Sequence, residues 1–321
     1  MPNLVDIVVP VYNRAHCVPG LFAELEKQTF RDFRVVFVDD GSVDNSYEVL
    51  CDCVNKASFP AVIIRQENRG AGAARNTGMR NVEAEWFVFV DSDDGLVPEY
   101  LEYLVNAATM EKAELAVTFL QMIPDTQRGS FAPAGPMDIS GISGAECMKK
   151  HLTDWFSPCC VMFNRNFQRE NQLFFDEECV YCEDAPFLME VFAAAKRVAQ
   201  VNNQLYLYYT RQGSLSRSAT VSKFVNGLEC FRRTEERLLQ SQTDAAGVFR
   251  DMGAARYYVA ILRRAAAQMT YSQFRELTAH APLQQYRGQF RLLPRAQQMA
   301  CRIYHLSQSL FYVVVHCLFR D

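Results

Sequence analysis

The run Trp86-Phe87-Val88-Phe89-Val90, and the acids that stop it, constrain this chain more than any other stretch. Five apolar residues in succession suit a strand buried on both faces, as in the middle of a parallel sheet. The run ends at Asp91-Ser92-Asp93-Asp94-Gly95, three carboxylates within four residues. Like charges so close resist ionising together unless a cation lies between them. Hard divalent ions such as Mg²⁺ or Mn²⁺ take one or two carboxylates together with phosphate oxygens of a substrate. Open α/β sheets also bind ligands at the carboxyl ends of their strands. A polar turn that is merely acidic, with Asp94-Gly95 as turn formers, is the structural alternative.

The flanking sequence supplies the rest of such a sheet. Residues 6–12 read as a first strand closed by Asn13-Arg14. Residues 33–38 form a second, ending in Asp39-Asp40-Gly41-Ser42, and 61–65, 86–90 and 115–119 form three more. Apolar positions at helical spacing (Val18, Leu21, Phe22, Leu25) predict a helix over 18–28, and others follow at 45–54, 71–80 and 99–108. Alternating strands and helices predict βαβ units, right-handed crossovers and a mostly parallel, Rossmann-like α/β sheet flanked by helices. In that wiring the ends of strands one, two and four open on one rim, which gathers their three polar clusters. Residues 124–136 are predicted to be a loop or flap. Residues 143–152 and 184–195 are predicted helices, with strands at 158–164 and 205–210. From Val221 the pattern is helical, over 221–240, 245–271, 272–280 and 296–319. Two domains are expected, 1–217 and a helical 218–321.

Composition narrows the classes. The chain has 321 residues, 49% hydrophobic and 22% charged, which is ordinary globular usage. A net charge of −4 gives no footprint for nucleic acid. The apolar run at 310–319 is too short for a membrane span and contains His316. Met1-Pro2-Asn3 leads into a strand with no basic region or cleavage site, so no signal peptide is expected and the cytoplasm is the expected location. Eleven cysteines, an odd number, read as reduced thiols rather than a disulfide framework. Cys179-x-x-Cys182 lacks the second Cys/His pair of a structural zinc site, and packing is its expected role.

Five motifs occur in order: Pro10-Val11-Tyr12-Asn13, Val38-Asp39-Asp40-Gly41-Ser42, Asn68-Arg69-Gly70-x4-Arg75-Asn76-x-Gly78, Asp91-Ser92-Asp93-Asp94 and Glu183-Asp184. Together they resemble the family 2 glycosyltransferases, over roughly residues 4–217. The resemblance implies a GT-A fold and inverting transfer of a sugar from a UDP-sugar to a hydroxyl of a saccharide or lipid-linked acceptor, assisted by Mg²⁺ or Mn²⁺. It gives Asp40 the uracil imide, and Pro10, Val11 and Tyr12 the base pocket, with Asn13 beside them. It gives Arg75 the diphosphate, Asp93 the metal, Asp91 the ribose or the metal, and Ser92 a place in the nucleotide site. Asp184 would be the general base. Arg211, in a segment similar to the Tyr-x-Arg…Gly-Ser that closes the family's catalytic domain, would contact the diphosphate. The loops at 91–94 and 158–164 would carry the sugar contacts.

Read from residue chemistry alone, several of these positions have a second reading. Asp40 suits an Asx turn with Gly41, Val11 a buried strand end, and Gly70–Ala74 close packing of a helix on the sheet. Arg75 also suits a brace for the acidic loop. Asp184 suits a helix start, where the dipole favours an acid. Arg211 suits a solvated loop. Two other functions compete. A nucleotidyltransferase would carry a glycine-rich basic stretch after strand one, which Asn13-Arg14-Ala15-His16 is not. A non-catalytic nucleotide-sugar-binding protein has no need of Asp91, Asp93 and Asp184 together.

The tail carries no catalytic signature. From Pro282 to Arg320 there is no acid, while Arg287, Arg291, Arg295, Arg302 and Arg320 are basic. Met299, Ile303, Leu306, Leu310, Phe311 and Val314 recur at helical spacing. A helix over 296–319 of this kind suits peripheral contact with the anionic inner face of a membrane. It also suits packing on its own domain or across a homodimer, which is the commoner case.

Overall fold

The structure is a computed structural model, described over residues 3–153, 157–210 and 220–319. Its first half is β1 (Val5–Val11), α1 (Val18–Leu25), β2 (Phe33–Asp39), α2 (Ser46–Val54), β3 (Ala61–Arg65), α3 (Ala71–Arg80), β4 (Trp86–Phe89), β5 (Gly95–Leu96), α4 (Tyr100–Glu111) and β6 (Leu115–Pro124). Next come β7 (Ile139–Ile142), α5 (Gly144–Thr153), β8 (Val161–Asn164), α6 (Arg165–Glu170), α7 (Asp184–Ala194) and β9 (Val198–Thr210). Then follow α8 (Val221–Gln240), α9 (Asp244–Val248), α10 (Ala254–Gln268), α11 (Tyr271–Thr278), α12 (Arg295–Leu306) and α13 (Gln308–Phe319).

The chain divides into two compact units. One comprises Met1–Gly144, Phe156–Glu177 and Ala195–Arg211; the other comprises Ala145–Trp155, Glu178–Ala194 and Gln212–Asp321. The first holds a nine-stranded sheet in the order β3-β2-β1-β4-β8-β6-β9-β5, with β7 on β9. The expected parallel core is the block β3-β2-β1-β4. Its central strands are almost wholly buried, as their unbroken apolar runs require. Beyond β4 the sheet becomes mixed, because β8 runs antiparallel to both β4 and β6. β5 and β7 are two and four residues long, too short to leave a period in the sequence. β4 stops at Phe89, one residue before the predicted end.

α3 lies close on the sheet because its sequence is small. Ala74 joins Val36 and Val38 in a buried cluster. A Cβ at Gly78 would stand 2.2 Å from Cγ1 of Val8. The glycine is therefore a packing residue, and it fixes the depth of the helix that carries Arg75.

The second unit departs from the prediction at two joints. The single helix expected over 245–271 is α9 and α10 joined by a π-helical turn, Phe249–Gly253. The helix expected over 296–319 breaks at Ser307, which is extended (φ −161, ψ 116). Ser307 Oγ accepts the N–H of Leu310 at 3.1 Å, so the residue ends α12 and caps α13. The stripe read across one helix therefore splits. Cys301, Tyr304, Phe311 and Val315 pack inward, and Met299, Leu306, Leu310 and Val313 are exposed.

Gly78→Ala should lower unfolding stability by about 1–3 kcal/mol, the usual cost of overpacking a tight site. Val8 is buried in β1 and cannot turn aside. Urea denaturation measures it, and an unchanged midpoint would show that α3 shifts freely on the sheet.

Candidate active site

Four acids and their partners organise the carboxyl rim of the parallel block. Asp91–Asp94 lies in a turn beyond β4, closed by Asp94 N–H donating to Asp91 O at 3.1 Å. Strand alternation therefore does not orient Asp91 and Asp93. Each instead has its own cation. Arg75 Nη2 meets Asp91 Oδ1 at 2.9 Å, and Arg14 Nε meets Asp93 Oδ2 at 3.2 Å. Both carboxylates are 30% exposed, while Arg75 is nearly buried.

Asp94 has a different job. It is buried, and its Oδ2 accepts from Tyr206 Oη at 2.9 Å while its Oδ1 accepts from Tyr209 N–H at 3.2 Å. Tyr206 Oη in turn accepts the N–H of Asp91 at 3.2 Å. Burial, then the charges of Asp91 and Asp93, push the Asp94 carboxyl well above its usual 3.8. Asp94 is the internal brace of the turn. Ser92 is buried within the same turn.

The ends of β1 and β2 are tied to each other before they could touch a ligand. Val11 is buried and its carbonyl accepts Asp40 N–H at 2.8 Å. Asn13 is left-handed (φ 52), and its Oδ1 accepts the N–H groups of Val43 at 2.9 Å and Asp44 at 3.3 Å. Pro10 is half-buried, and the ring of Tyr12 stands 39% exposed on the rim. Asp40 is buried, and its carboxylate does not form the alternative Asx turn with Gly41. Its carboxylate accepts from Gln66 Nε2 at 2.7 Å, Arg69 N–H at 3.0 Å and Gly70 N–H at 2.8 Å. Gly41 is required here for two reasons: φ is +71, and a Cβ would meet Asn68 N at 2.7 Å.

Several residues of this rim carried no motif. Arg14 was read only as the end of a strand. Arg128 comes from the segment predicted as a flap: its Nη2 donates to Asp93 O at 2.7 Å, and its guanidinium lies 3.7 Å over the Tyr209 ring. Glu177 binds Arg69, receives Arg80 Nη2 at 3.1 Å and accepts Asn76 Nδ2 at 3.0 Å. Burial raises the Glu177 carboxyl, but these bonds outweigh it and hold it below its usual value. Glu24 Oε2 accepts Leu96 N–H at 2.7 Å, and its Oε1 accepts from Tyr209 Oη at 3.3 Å. None of these positions shows periodicity or a local signature, and only the folded topology brings them to the rim. The stretch expected to contribute sugar contacts at 158–164 is a buried 3₁₀ turn, Pro158–Cys160, leading into β8. Asn164, at the end of β8, is its half-buried member.

Asp184 belongs to the second unit, where it opens α7. The turn before it is pinned to α8, with Asn226 accepting Val180 N–H at 2.9 Å and donating to Glu178 O at 2.8 Å. Cys182, at φ 58, directs the chain into the helix, and its Sγ accepts from Arg264 Nη1 at 3.4 Å. Cys179 instead bonds Tyr181 O, so the two cysteines have separate partners. Half-buried His151 is hydrogen-bonded to the Ala185 backbone, and desolvation lowers it to about 4, leaving a neutral ring beside this turn. Arg211 lies outside the described residues.

Whether the rim fits a divalent cation turns on its donor set. Among the described residues no three His, Cys, Asp or Glu side chains converge to hold a metal by themselves. Asp91 and Asp93 supply two carboxylates with arginines beside them. That set suits Mg²⁺ or Mn²⁺, ions that complete their shell with substrate phosphate oxygens and water.

The sequence model of Glycosyl transferase family 2 matches residues 6–171, more than half of the chain. The chain belongs to glycosyl transferase family 2. The match contains the acidic turn, both arginines and Asp40, and it sets the nucleotidyltransferase reading aside. A cholesterol galactosyltransferase of Borreliella burgdorferi is 28% identical over 68% of this chain and 63% of its own length. The poly(ribitol-phosphate) beta-N-acetylglucosaminyltransferase TarS of Staphylococcus aureus is 28% identical over 68% of this chain and 37% of its own length. The matched stretch thus spans less than two thirds of both relatives. The structure of TarS 1–349 with UDP-GlcNAc superposes with a TM-score of 0.70, at 19% identity, over 98% of this chain and 91% of that one. A mannosyltransferase from Pyrobaculum calidifontis, with GDP-Man and Mn²⁺, gives 0.57 at 14% identity, over 100% of this chain and 89% of that one. The fold is the GT-A fold.

Glu24 provides a pH test of the rim's support. Burial holds its carboxyl above the ordinary 4.5. The folded chain then binds more proton than the unfolded one between those two pKa values, so stability falls as pH rises through that window and levels off above it. In Glu24→Gln the amide still accepts from Leu96 and donates to Tyr209, but nothing titrates. Wild-type stability minus variant stability should decline from pH 4.5 upward and then flatten. Urea denaturation between about pH 4 and 8 measures it, and a difference independent of pH contradicts the assignment.

Proposed function

We propose that this chain is an inverting glycosyltransferase that moves a sugar from a UDP-sugar to a hydroxyl of a saccharide or lipid-linked acceptor. One observation carries the reading: Asp91 and Asp93, half-exposed at the carboxyl rim of a family 2 fold, each stand beside an arginine. Alternating carboxylates and guanidiniums match a ligand that brings both a cation and a diphosphate. A rim meant only for packing has no use for this half-exposed charge.

In this reading Asp40 reads the base. A carboxylate offers about four acceptor positions, and the Gln66, Arg69 and Gly70 contacts occupy three. The remaining one suits the imide N–H of uracil. Pro10, Val11 and Tyr12 give the base an apolar wall, of which Tyr12 is the exposed part. Asn13 acts one step back, holding the loop after β2 in place. Arg75 serves the diphosphate, and Arg211 would contact it too. Asp93, with Asp91, would hold Mg²⁺ or Mn²⁺, and the bound ion would offset the negative charge that develops on the departing UDP. Ser92 is buried and keeps the turn narrow.

Asp184 is the proposed general base. Its carboxylate takes the proton of the acceptor hydroxyl while that oxygen bonds to the anomeric carbon from the face opposite UDP. The bond from that carbon to the diphosphate breaks with its electron pair leaving on UDP, and the configuration inverts. The pinned turn ahead of α7 supports this role, because a base must be held in position to act. The names of the relatives support sugar transfer to varied acceptors; the donor bound in the TarS structure supports UDP.

Asp184→Asn should reduce transfer by about 10²–10⁴-fold, the usual share of a positioned base, while UDP affinity is retained. Full activity in that variant would overturn the assignment. For the metal, calorimetry of UDP with and without Mn²⁺ should show enhanced binding in the wild type and none in Asp93→Ala. An unchanged Mn²⁺ effect in Asp93→Ala would remove Asp93 from the site.

A further inference from the structure

The outer surface of the last two helices is not explained by sugar transfer. On α12, Arg295, Met299, Arg302 and Leu306 recur at intervals of four, three and four, and all are exposed. On α13, Leu310, Val313 and Cys317 recur at three and four, and they too are exposed. The opposite sides are satisfied. Tyr304 packs edge-on against Phe311, Phe311 stacks with Phe274, and Gln297 and Cys301 are buried. Leu306 is 81% exposed, Met299 64%, Val313 53% and Leu310 49%, a concentration of apolar surface on two short helices. The charge is one-signed as well. In a chain of net charge −4, residues 277–320 contain five arginines and no acid, and Arg287, Arg291, Arg295 and Arg302 are exposed. The adjacent acid on α11, Glu276, has Arg275 beside it.

We infer that this face of α12 and α13 is a docking surface for a lipid membrane rich in anionic headgroups. The chemistry requires both parts. Exposed Leu, Met and Val side chains gain by entering the acyl boundary, and flanking arginines gain from anionic headgroups. Among the described residues no helix is long and apolar enough to cross a membrane, so these helices lie on the surface. A second copy of the chain is the poorer occupant. A two-fold interface presents the same patch from both sides, and with no acid in the patch every charge contact across it would be repulsive. The inference stands on the second unit alone and survives or fails independently of the donor and of Asp184.

Vesicle sedimentation tests it with the full chain. Binding to vesicles of equal phosphatidylglycerol and phosphatidylcholine should exceed binding to phosphatidylcholine alone by at least tenfold, and high salt should weaken it. Arg295→Glu with Arg302→Glu should abolish this preference, since each neutralised arginine alone costs about fivefold. Leu306→Asp should weaken binding at every salt concentration. All three residues are exposed, so melting temperature and UDP affinity should stay unchanged, which separates a lost surface from a lost fold. Equal binding to both vesicle types, no binding, or variants that bind like wild type would each overturn the inference. So would a stable dimer that Leu306→Asp converts to monomer, which would assign the face to a second copy.

Discussion

The buried Asp94 carboxylate is the interaction on which the rim depends. It is an expensive group to bury, and the two charges nearest to it raise that cost. It persists because Tyr206 and Tyr209 satisfy both of its oxygens from β9, a strand that enters the sheet more than a hundred residues later. Tyr206 also accepts the N–H of Asp91. One tyrosine hydroxyl therefore joins the brace of the turn to the carboxylate displayed at its edge. Networks of this kind are rigid only while every member is paired. The long β9 supplies that pairing, and the geometry of Asp91 and Asp93 is inherited from a strand on the far side of the sheet.

The same economy appears at the neighbouring strand ends. Asn13 and Asp40 sit in motifs that suggest ligand contacts, yet each spends most of its hydrogen-bonding capacity on backbone N–H groups of a nearby loop. Position at a strand end thus serves two purposes. Side chains that fix the loops also fix where the rim's remaining acceptors point. Asp40 shows the balance well: three bonds anchor residues 66–70, and the capacity left over is what recognition can use. Gly41 lets the loops approach closely enough for the bonds to form, and Gly70 supplies the positive φ from which its N–H reaches Asp40.

What was legible in the sequence follows from where the information lies. The parallel block was readable because β1, β2 and β4 are buried on both faces and their composition says so at each residue. The arrangement beyond β4 was not, since β8 and β5 are short and their neighbours are chosen by packing rather than by period. At the site, the motif carboxylates were visible because acids interrupt apolar runs there. Arg14, Arg128 and Glu177 were invisible as rim residues, being single charges in segments with several. Asp91 and Asp93 lie at the rim where the parallel wiring puts the end of β4. The strand ends before them, and an arginine stands beside each.

The second unit extends this contrast. Its helices were legible as helices, but their breaks were set by single side chains: Ser307 trades helical continuity for a cap, and Gly253 lets the π-turn fold against Phe249. Those breaks decide which apolar residues face outward. A continuous helix over 296–319 would have carried Phe311 and Leu310 around at a fixed angle from Leu306. With the break, Phe311 reaches Phe274 and Tyr304 while Leu306 and Leu310 remain outside. A hydroxyl cap is a small term beside burial of several large side chains. Its position in the chain nonetheless determines which of those side chains the fold leaves on its surface.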